Sequence, residues 1–226
     1  LSGFLDAICT APVNKEAIEL SGEHFTGHTE LLAELTHAPK VSMLLVAGSL
    51  RVAHVSTHVS LHRAIELVQP ARIVDVVELV LPTLRLLGAL SPRVAIAGLN
   101  PHAGEHGLFG AEDNERILPA VAMCRERGWD VSGPYSPDSI FFRAKDGEFD
   151  AVVAMYHDQG HIAVKMAHFF GGVNVTLGMP IIRTSVDHGT GFDIAGKGIA
   201  NAESMIESLS LAIDMANNNA PHKGRA

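Results

Sequence analysis

The chain contains the stretch Arg93-Val-Ala-Ile-Ala-Gly-Leu99-Asn-Pro-His102-Ala-Gly-Glu105, an apolar run of strand length that leads directly into a polar loop. A strand that is apolar at almost every position is typical of a sheet covered by helices on both faces. Two further runs, residues 51–56 and 151–155, have the same character and are also followed by a histidine, His58 and His157. Because such strands alternate with helical patterns along the chain, the sequence predicts an α/β fold.

Hydrophobic periodicity predicts the individual elements. Strands are expected at residues 4–10, 41–47, 51–56, 93–99, 151–155, 173–176 and 181–185. Helices are expected at residues 14–20, 29–35, 61–68, 71–87, 114–127 and 202–216. Pro82 lies inside the fourth of these helices and predicts a kink there. No sharp domain boundary is visible, and a crossing between two lobes is expected near Ser91-Pro92 or Gly133-Pro134.

The composition narrows the class of protein. A chain of 226 residues with 47% hydrophobic content can bury a full core, and a net charge of −8 argues against a nucleic-acid partner. No apolar run is long enough to span a membrane and no signal peptide is visible, so a cytoplasmic protein is expected. Cys9 and Cys124 lack metal-type spacing and are expected to be free thiols. Because the chain opens at Leu1 and runs almost at once into a predicted strand, it reads as part of something longer.

The histidines that follow the three apolar runs, His58, His102 and His157, are too far apart in sequence for a local zinc finger. Parallel strands bring their carboxyl ends to one edge of a sheet, and neutral imidazoles are common ligands of transition metals. The sequence therefore predicts a metal-assisted enzyme if the three converge, although His102 taken alone could equally be a surface-loop residue. His54 is expected to be a core histidine with its hydrogen bonds satisfied, or to face a partner. Asp158 is expected either to cap a helix or to orient the His157 ring.

A second group of residues suits an anionic ligand. His28 and Thr29 stand at a predicted helix start, where free N–H groups bind phosphate or carboxylate, although Thr29 could simply be the N-cap. Lys165, Asn174 and Arg183 lie on successive elements with no acidic partner evident nearby. Two cations and an amide predict a phosphate site, and ordinary surface charges are the alternative.

The segment 187–201 is rich in glycine. Glycine is entropically costly in a mere connector, so a loop that approaches a ligand closely is predicted here. The segment does not have the GxGxxG pattern after a strand, and an ordinary Rossmann site is therefore not supported.

Several motifs, in order along the chain, resemble one enzyme family. They are Thr10-Ala-Pro-Val-Asn-Lys15, Gly27-His-Thr-Glu30, Leu99-Asn-Pro-His-Ala-Gly-Glu105, Ala154-Met-Tyr-His-Asp-Gln-Gly160, Gly172-Val-Asn-Val-Thr176 and Ile182-Arg-Thr-Ser-Val-Asp-His-Gly-Thr190. From about Phe4 to Leu211, the chain is similar to 4-hydroxythreonine-4-phosphate dehydrogenases, which make part of the pyridoxal phosphate precursor.

The resemblance implies an architecture. It is a three-layer α/β/α fold of the isocitrate and isopropylmalate dehydrogenase type, with two subdomains around a cleft and a tight homodimer. Family members carry additional chain at the N-terminus. Residues 1–226 are therefore expected to be one dehydrogenase unit that forms the C-terminal two-thirds of the family chain.

The resemblance also implies roles for individual residues. His58, His102 and His157 match the ligands of one divalent metal (zinc, magnesium or cobalt), which in the family come from both subunits. The positions that match substrate contacts are His28, Thr29, Lys165, Asn174 and Arg183. The positions expected to bind NAD, or NADP, are Gly189, Asp193, Ile194, Gly196 and Asn201. Lys165 and Asp138 are the implied catalytic acid or base positions.

The implied reaction is an NAD- and metal-dependent oxidation of the C3 hydroxyl of 4-phosphooxy-L-threonine, followed by decarboxylation to 3-amino-2-oxopropyl phosphate. Residues 10–15, Phe141-Phe-Arg-Ala and His161 look more like a second branch of the family, which implies the same chemistry on 4-phospho-D-threonate or D-erythronate. One alternative of another class is a non-redox phosphate-binding or acyltransferase-like protein of related fold. A non-catalytic protein that only dimerises is the other.

Overall fold

The computed structural model describes residues 4–22 and 27–219, which form an eight-stranded sheet with helices on both sides. In chain order, the strands are β1 (Ala7–Thr10), β2 (Ser42–Ala47), β3 (Leu50–His54), β4 (Val94–Ala97), β5 (Val131–Tyr135), β6 (Ala151–Ala154), β7 (Val173–Leu177) and β8 (Ile182–Val186). The helices are α1 (Lys15–Leu20), α2 (His28–Thr36), α3 (Leu61–Leu67), α4 (Pro70–Leu86), α5 (Leu118–Glu126), α6 (Ile140–Lys145), α7 (His157–Ala167) and α8 (Glu203–Asn219). The predicted α/β class is confirmed.

The sheet is mixed, with the strand order β1-β8-β7-β2-β3-β6-β4-β5. Strands β3, β6, β4 and β5 are neighbours and run parallel to one another, and β1 runs parallel to β8. Strand β2 is antiparallel to both β3 and β7, and β7 is antiparallel to β8. The carboxyl ends of β3, β6, β4 and β5 therefore lie at one edge of the sheet.

Alternating side chains of the central strands form two cores, one on each face of the sheet. In β4, Val94 and Ile96 belong to the core beneath α4, α5 and α8, whereas Ala95 and Ala97 belong to the core beneath α6 and α7. Strands β4 and β6 are buried at every position because helices cover both faces. This is the three-layer α/β/α arrangement that the sequence predicts.

All seven predicted strands and all six predicted helices are present, with ends that differ by a few residues. The prediction lacks β5, α6 and α7. Strand β5 contains Pro134, which a strand tolerates at the edge of a sheet, where a ladder hydrogen bond can be spared. Gly133-Pro134 lies within β5 and Ser91-Pro92 lies just before β4, and a crossing between two lobes at either position stays a prediction. His157 is the first residue of α7 and not part of the preceding turn.

Other expectations concern single features. Helix α4 runs through Pro82 from Pro70 to Leu86. Cys9 and Cys124 are free thiols, as predicted. No helix in the described part of the chain is both long and apolar enough to cross a membrane. The division into two subdomains stays a prediction.

Candidate active site

Three histidine-bearing segments lie at one edge of the sheet, where β3, β6 and β4 end side by side. His58 follows β3, His102 follows β4, and His157 begins α7 directly after β6. Asp138 follows β5 at the same edge; it is exposed, and its Oδ1 accepts a hydrogen bond from Ser136 Oγ at 2.7 Å. These residues lie near one another because the strands that precede them are parallel. Their roles as metal ligands and as a proton carrier stay a prediction.

Two of the three imidazoles are near each other within one chain. The ring centroids of His58 and His157 are 5.5 Å apart. A cleft of about 390 Å³ opens beside them, and Thr57, Ser60 and Tyr156 form part of its walls. The pair offers two nitrogen ligands, which suit zinc and cobalt better than magnesium.

His102 is not part of this pair, and its ring centroid lies 6.1 Å from that of Phe109. Within residues 4–22 and 27–219, no group of three or more histidine, cysteine, aspartate or glutamate side chains is close enough to hold a metal ion. The described part of a single chain therefore does not bring the three predicted ligands together. A metal ion held by His58 and His157 would therefore need a further ligand from elsewhere.

Helix α7 carries His157, His161 and Lys165 at intervals of four residues, which places them on one face. The rings of His157 and His161 are stacked, with centroids 3.6 Å apart and planes at 12°. Nδ1 of His161 donates to the carbonyl oxygen of His157 at 3.0 Å, so Nε2 of His161 is an acceptor when the ring is neutral. Oδ1 of Asp158 lies 2.7 Å from Nδ1 of His157 and orients that ring. Tyr156 is the N-cap of α7, so the interpretation of Asp158 as the cap is wrong.

His54, the last residue of β3, is fully buried, as the sequence predicts. Its ring centroid is 4.7 Å from that of His161, and neither ring nitrogen has a hydrogen-bond partner among the described residues, so the expectation that its hydrogen bonds are satisfied is wrong for this part of the chain. Burial, followed by repulsion from the neighbouring imidazoles, lowers the pKa of His54 to about 3, so the ring is neutral at physiological pH. Gly160 of α7 leaves room for this ring, because a Cβ there would collide with it.

Arg183 on β8 is a buried cation whose side-chain partners among the described residues are hydroxyl groups. Nη2 donates to Thr10 Oγ1 of β1 at 2.7 Å, and Nη1 donates to Thr176 Oγ1 of β7 at 3.0 Å and to Thr29 Oγ1 of α2 at 3.4 Å. Burial lowers the pKa of the guanidinium, yet arginine stays charged in proteins. A charge taken out of water without an ion pair is costly, and such an arrangement is typical of a site that receives an anion.

The N-terminus of α2 lies beside Arg183. The helix begins at His28, and its N-cap is Gly27, so the simple alternative of Thr29 as the cap is wrong. The Thr29 hydroxyl instead contacts Arg183. Burial, and then the charge of Arg183, lower the pKa of His28, which keeps its ring neutral near pH 7. Three of the predicted substrate residues are thus neighbours.

Lys165 has an acidic partner, contrary to the expectation. Its Nζ lies 2.6 Å from Oδ2 of Asp187 and donates to the Asp187 carbonyl oxygen at 2.6 Å. Asn174 pairs in register with Ser185, two positions along β8 from Arg183, so Asn174 and Arg183 lie on the same face of the sheet. The buried Oδ1 of Asn174 has no hydrogen-bond partner among the described residues. Arg183 and Asn174 therefore remain the better candidates for ligand binding.

The glycine-rich segment 187–201 forms a largely exposed loop between β8 and α8. Gly191, Gly196 and Gly198 have φ angles of 62°, 75° and 66°, which favour glycine. Asn201 Oδ1 accepts from the backbone N–H of Glu203, at 2.8 Å, at the start of α8. The loop contains all five predicted cofactor residues, Gly189, Asp193, Ile194, Gly196 and Asn201. Their role stays a prediction.

Three further residues shape the site without a sequence pattern that predicts their contacts. Thr10 and Thr176 bind Arg183, and Asp187 pairs with Lys165. All three lie within the quoted motifs, and this is the only sign of a role in the sequence. Their partners could not be inferred, because Thr10 and Arg183 are 173 positions apart in the sequence.

The fold first defines a class of protein. The structure matches that of a β-decarboxylating dehydrogenase from Thermococcus kodakarensis with a TM-score of 0.53, over 94% of this chain and 66% of that one. The two sequences are only 14% identical, so the likeness concerns the fold alone. It agrees with the isocitrate and isopropylmalate dehydrogenase type that the sequence predicts.

The sequence then gives the family. Residues 1–212 match the family described as pyridoxal phosphate biosynthetic protein PdxA, and the chain belongs to this family. The crystal structure of a 4-hydroxythreonine-4-phosphate dehydrogenase from Klebsiella pneumoniae is 50% identical and has a TM-score of 0.86, over 94% of this chain and 65% of that one.

Curated relatives carry two different names. A D-threonate 4-phosphate dehydrogenase from Cupriavidus necator is 54% identical over 94% of this chain. A 4-hydroxythreonine-4-phosphate dehydrogenase from Desulforapulum autotrophicum is 49% identical over 94% of this chain. The chain spans 64% and 63% of these relatives, somewhat less than two thirds of their length.

Proposed function

We propose that this protein oxidises the C3 hydroxyl of a 4-phosphorylated, four-carbon hydroxy acid with NAD and then releases the carboxyl carbon as CO2. The observation that carries the proposal is Arg183, a buried guanidinium with hydroxyl partners and no ion pair among the described residues. A dianionic phosphate would compensate this charge. His28, Thr29 and Asn174 lie where they can add neutral hydrogen bonds to the same anion.

The residues at the sheet edge fit a divalent metal. His58 and His157 would hold it, with Asp158 fixing the His157 ring through Nδ1 so that Nε2 is left to bind the ion. With zinc, cobalt or magnesium bound, the substrate hydroxyl would ionise more readily and the ketone would be polarised. His102, from the same edge of a second copy, is the proposed third ligand.

The reaction balances without another reagent. A hydride leaves C3 for NAD and the hydroxyl proton is released, which gives a β-keto acid. The C1–C2 bond then breaks, CO2 leaves, and C2 takes up a proton. Lys165 and Asp138 are the candidate proton carriers. Lys165 lies eight positions after His157 on α7, which corresponds to ~12 Å along the helix axis.

The nicotinamide cofactor is assigned to the loop 187–201. Its exposed backbone, with three glycines at positive φ, supports binding through N–H and carbonyl groups. Gly189, Asp193, Ile194, Gly196 and Asn201 are the proposed contacts. NADP is the alternative cofactor.

Two classes of substrate are compatible with this chemistry, a phosphorylated amino acid and a phosphorylated sugar acid. 4-Phosphooxy-L-threonine would give 3-amino-2-oxopropyl phosphate, whereas 4-phospho-D-threonate or D-erythronate would give 3-hydroxy-2-oxopropyl phosphate. The 54% identical relative is named for D-threonate 4-phosphate and the 49% identical relative for 4-hydroxythreonine-4-phosphate. The higher sequence identity to the relative named for D-threonate 4-phosphate favours the phosphorylated sugar acid, and we propose it as the first substrate to assay.

The subunit origin of the ligands leads to a complementation test. Because His58 and His157 are neighbours within one chain, a site is proposed to take both from one subunit and His102 from the other. Mixing refolded His102→Ala and His157→Ala proteins should then create one intact site in each mixed dimer. NADH formation should recover to about a quarter of the wild-type rate, since half of the dimers are mixed and each has one of two sites.

The control is a mixture of His58→Ala and His157→Ala proteins. Every site in that mixture lacks one of the two paired histidines, so the rate of NADH formation should stay at that of the single variants. Recovery in the control but not in the test mixture would assign His58 and His157 to different subunits. Recovery in neither would contradict a shared site.

A further inference from the structure

The turn that carries His102 has an unusual backbone. His102, Ala103, Glu105 and His106 have φ angles of 52°, 53°, 40° and 58°, and Gly104 among them has 77°. Only glycine adopts this left-handed conformation freely, and the other four residues are strained in it. A run of strained residues persists only when the surrounding structure holds it in place.

Asp113 provides such support from a π-helical turn, Asp113–Ile117, that precedes α5. Its carboxylate is fully buried. Oδ1 accepts from the backbone N–H of Leu99 at 2.9 Å, and Oδ2 accepts from the backbone N–H and from Nδ2 of Asn100 at 3.1 and 2.9 Å. Leu99 and Asn100, the two residues before Pro101, are thus fixed by one charged acceptor, and charge-assisted bonds are stronger than neutral ones.

Two glycines allow the carboxylate to lie this close to the turn. A Cβ on Gly98 would lie 2.8 Å from Asp113 Oδ1 and 2.8 Å from Ala103 Cα. A Cβ on Gly104 would lie 3.3 Å from Asp113 Oδ2. The Asp113 carboxylate therefore packs directly against the end of β4 and the left-handed turn.

We propose that Asp113 is a positioning residue that holds His102 in the orientation needed to bind the metal. The inference rests on the proposed function, because it takes His102 as a ligand. The hydrogen bonds of Asp113 exist before any ligand is bound, so the turn is ordered in advance. A preordered ligand binds a metal more tightly than one that must be reorganised.

Metal affinity tests this role. Asp113→Asn keeps the size of the side chain but replaces one acceptor oxygen by an N–H group that faces other N–H donors. We expect the zinc affinity to fall by about 10–100-fold, as for other residues that support a metal ligand. In a His102→Ala background the same substitution should not lower the zinc affinity further, because Asp113 affects the metal only through His102.

Glu112→Gln is the matched control. Oε2 of Glu112 also accepts from Asn100 Nδ2, at 2.8 Å, but its side chain is only partly buried and bonds neither backbone N–H group. The zinc affinity of this variant should be near that of the wild type. If Asp113→Asn does not fold, Asn100→Ala removes one of the three bonds and should give a smaller loss of zinc affinity in the same direction.

Hydrogen exchange in the metal-free protein separates this inference from the proposed function. Amides of residues 99–109 should exchange faster in Asp113→Asn than in the wild type or in Glu112→Gln. Unchanged exchange, or an effect on zinc affinity that persists undiminished in the His102→Ala background, overturns the role of Asp113 even if the metal site is real. If the wild-type protein does not bind zinc but the amides of Asp113→Asn still exchange faster, the metal site is rejected. In that case Asp113 still stabilises the turn.

Discussion

Replacing His102 with alanine is expected to lower kcat/KM by roughly 1,000-fold or more, which corresponds to about 4 kcal/mol of transition-state stabilisation. The reason is that the metal site loses one of three ligands, and with it the means to ionise the C3 hydroxyl. NADH formation with 4-phospho-D-threonate measures the loss of activity, and metal analysis of the purified protein should show reduced zinc occupancy.

His106→Ala is the matched control for this variant. His106 lies in the same left-handed turn, has a φ of 58° and is exposed. A loss that came from disturbing the turn would affect both variants, whereas a loss of a ligand affects His102→Ala alone. Full zinc occupancy and normal turnover in His102→Ala would refute the three-histidine site.

Arg183→Met is expected to raise KM for the phosphorylated substrate by about 5–150-fold, equivalent to ~1–3 kcal/mol of lost charge-assisted bonding. The substitution should not lower the melting temperature, because Arg183 is 5% exposed and has only hydroxyl partners for its charge among the described side chains. An apolar side chain of similar length removes the cost of burying that charge. Steady-state kinetics and thermal unfolding together provide the measurement.

Arg93→Met is a suitable control, because Arg93 lies just before β4, at the opposite end of that strand from the histidine-bearing segments, and pairs with Asp150 on the surface. It should leave KM unchanged. An unchanged KM in Arg183→Met would remove Arg183 from the substrate site. A large fall in melting temperature would instead mean that the guanidinium serves mainly to hold β1, β7, β8 and α2 together.

Most of the fold can be predicted because the patterns that indicate its strands and helices lie within short stretches of the sequence. Apolar strands such as β4 and β6 reveal burial on both faces by composition alone. Strand β5 was not predictable, since Pro134 is a signal against strands unless the edge position is known. Helix α7 begins with a polar run that includes a glycine, and it is stabilised by packing Val164 into the core beneath it.

The candidate site was predictable in outline only. Strand ends indicated that His58, His102 and His157 share an edge, because parallel topology follows from the α/β pattern. The pairing of Lys165 with Asp187 was not foreseeable, because it joins residues from different elements. Nor does any periodicity reveal the left-handed turn after β4, since four of its five positions with positive φ are not glycine.

The central claim is a metal-dependent oxidative decarboxylation of a phosphorylated hydroxy acid. It is tested most directly by measuring NADH and CO2 from the full-length gene product with 4-phospho-D-threonate, 4-phospho-D-erythronate and 4-phosphooxy-L-threonine. The assay compares enzyme treated with a chelator and enzyme resupplied with zinc, cobalt or magnesium. We predict equal amounts of NADH and CO2 with at least one substrate, loss of both after chelation, and recovery with metal. Turnover that survives complete metal removal, or phosphate binding without NADH from any of the three, would contradict the claim.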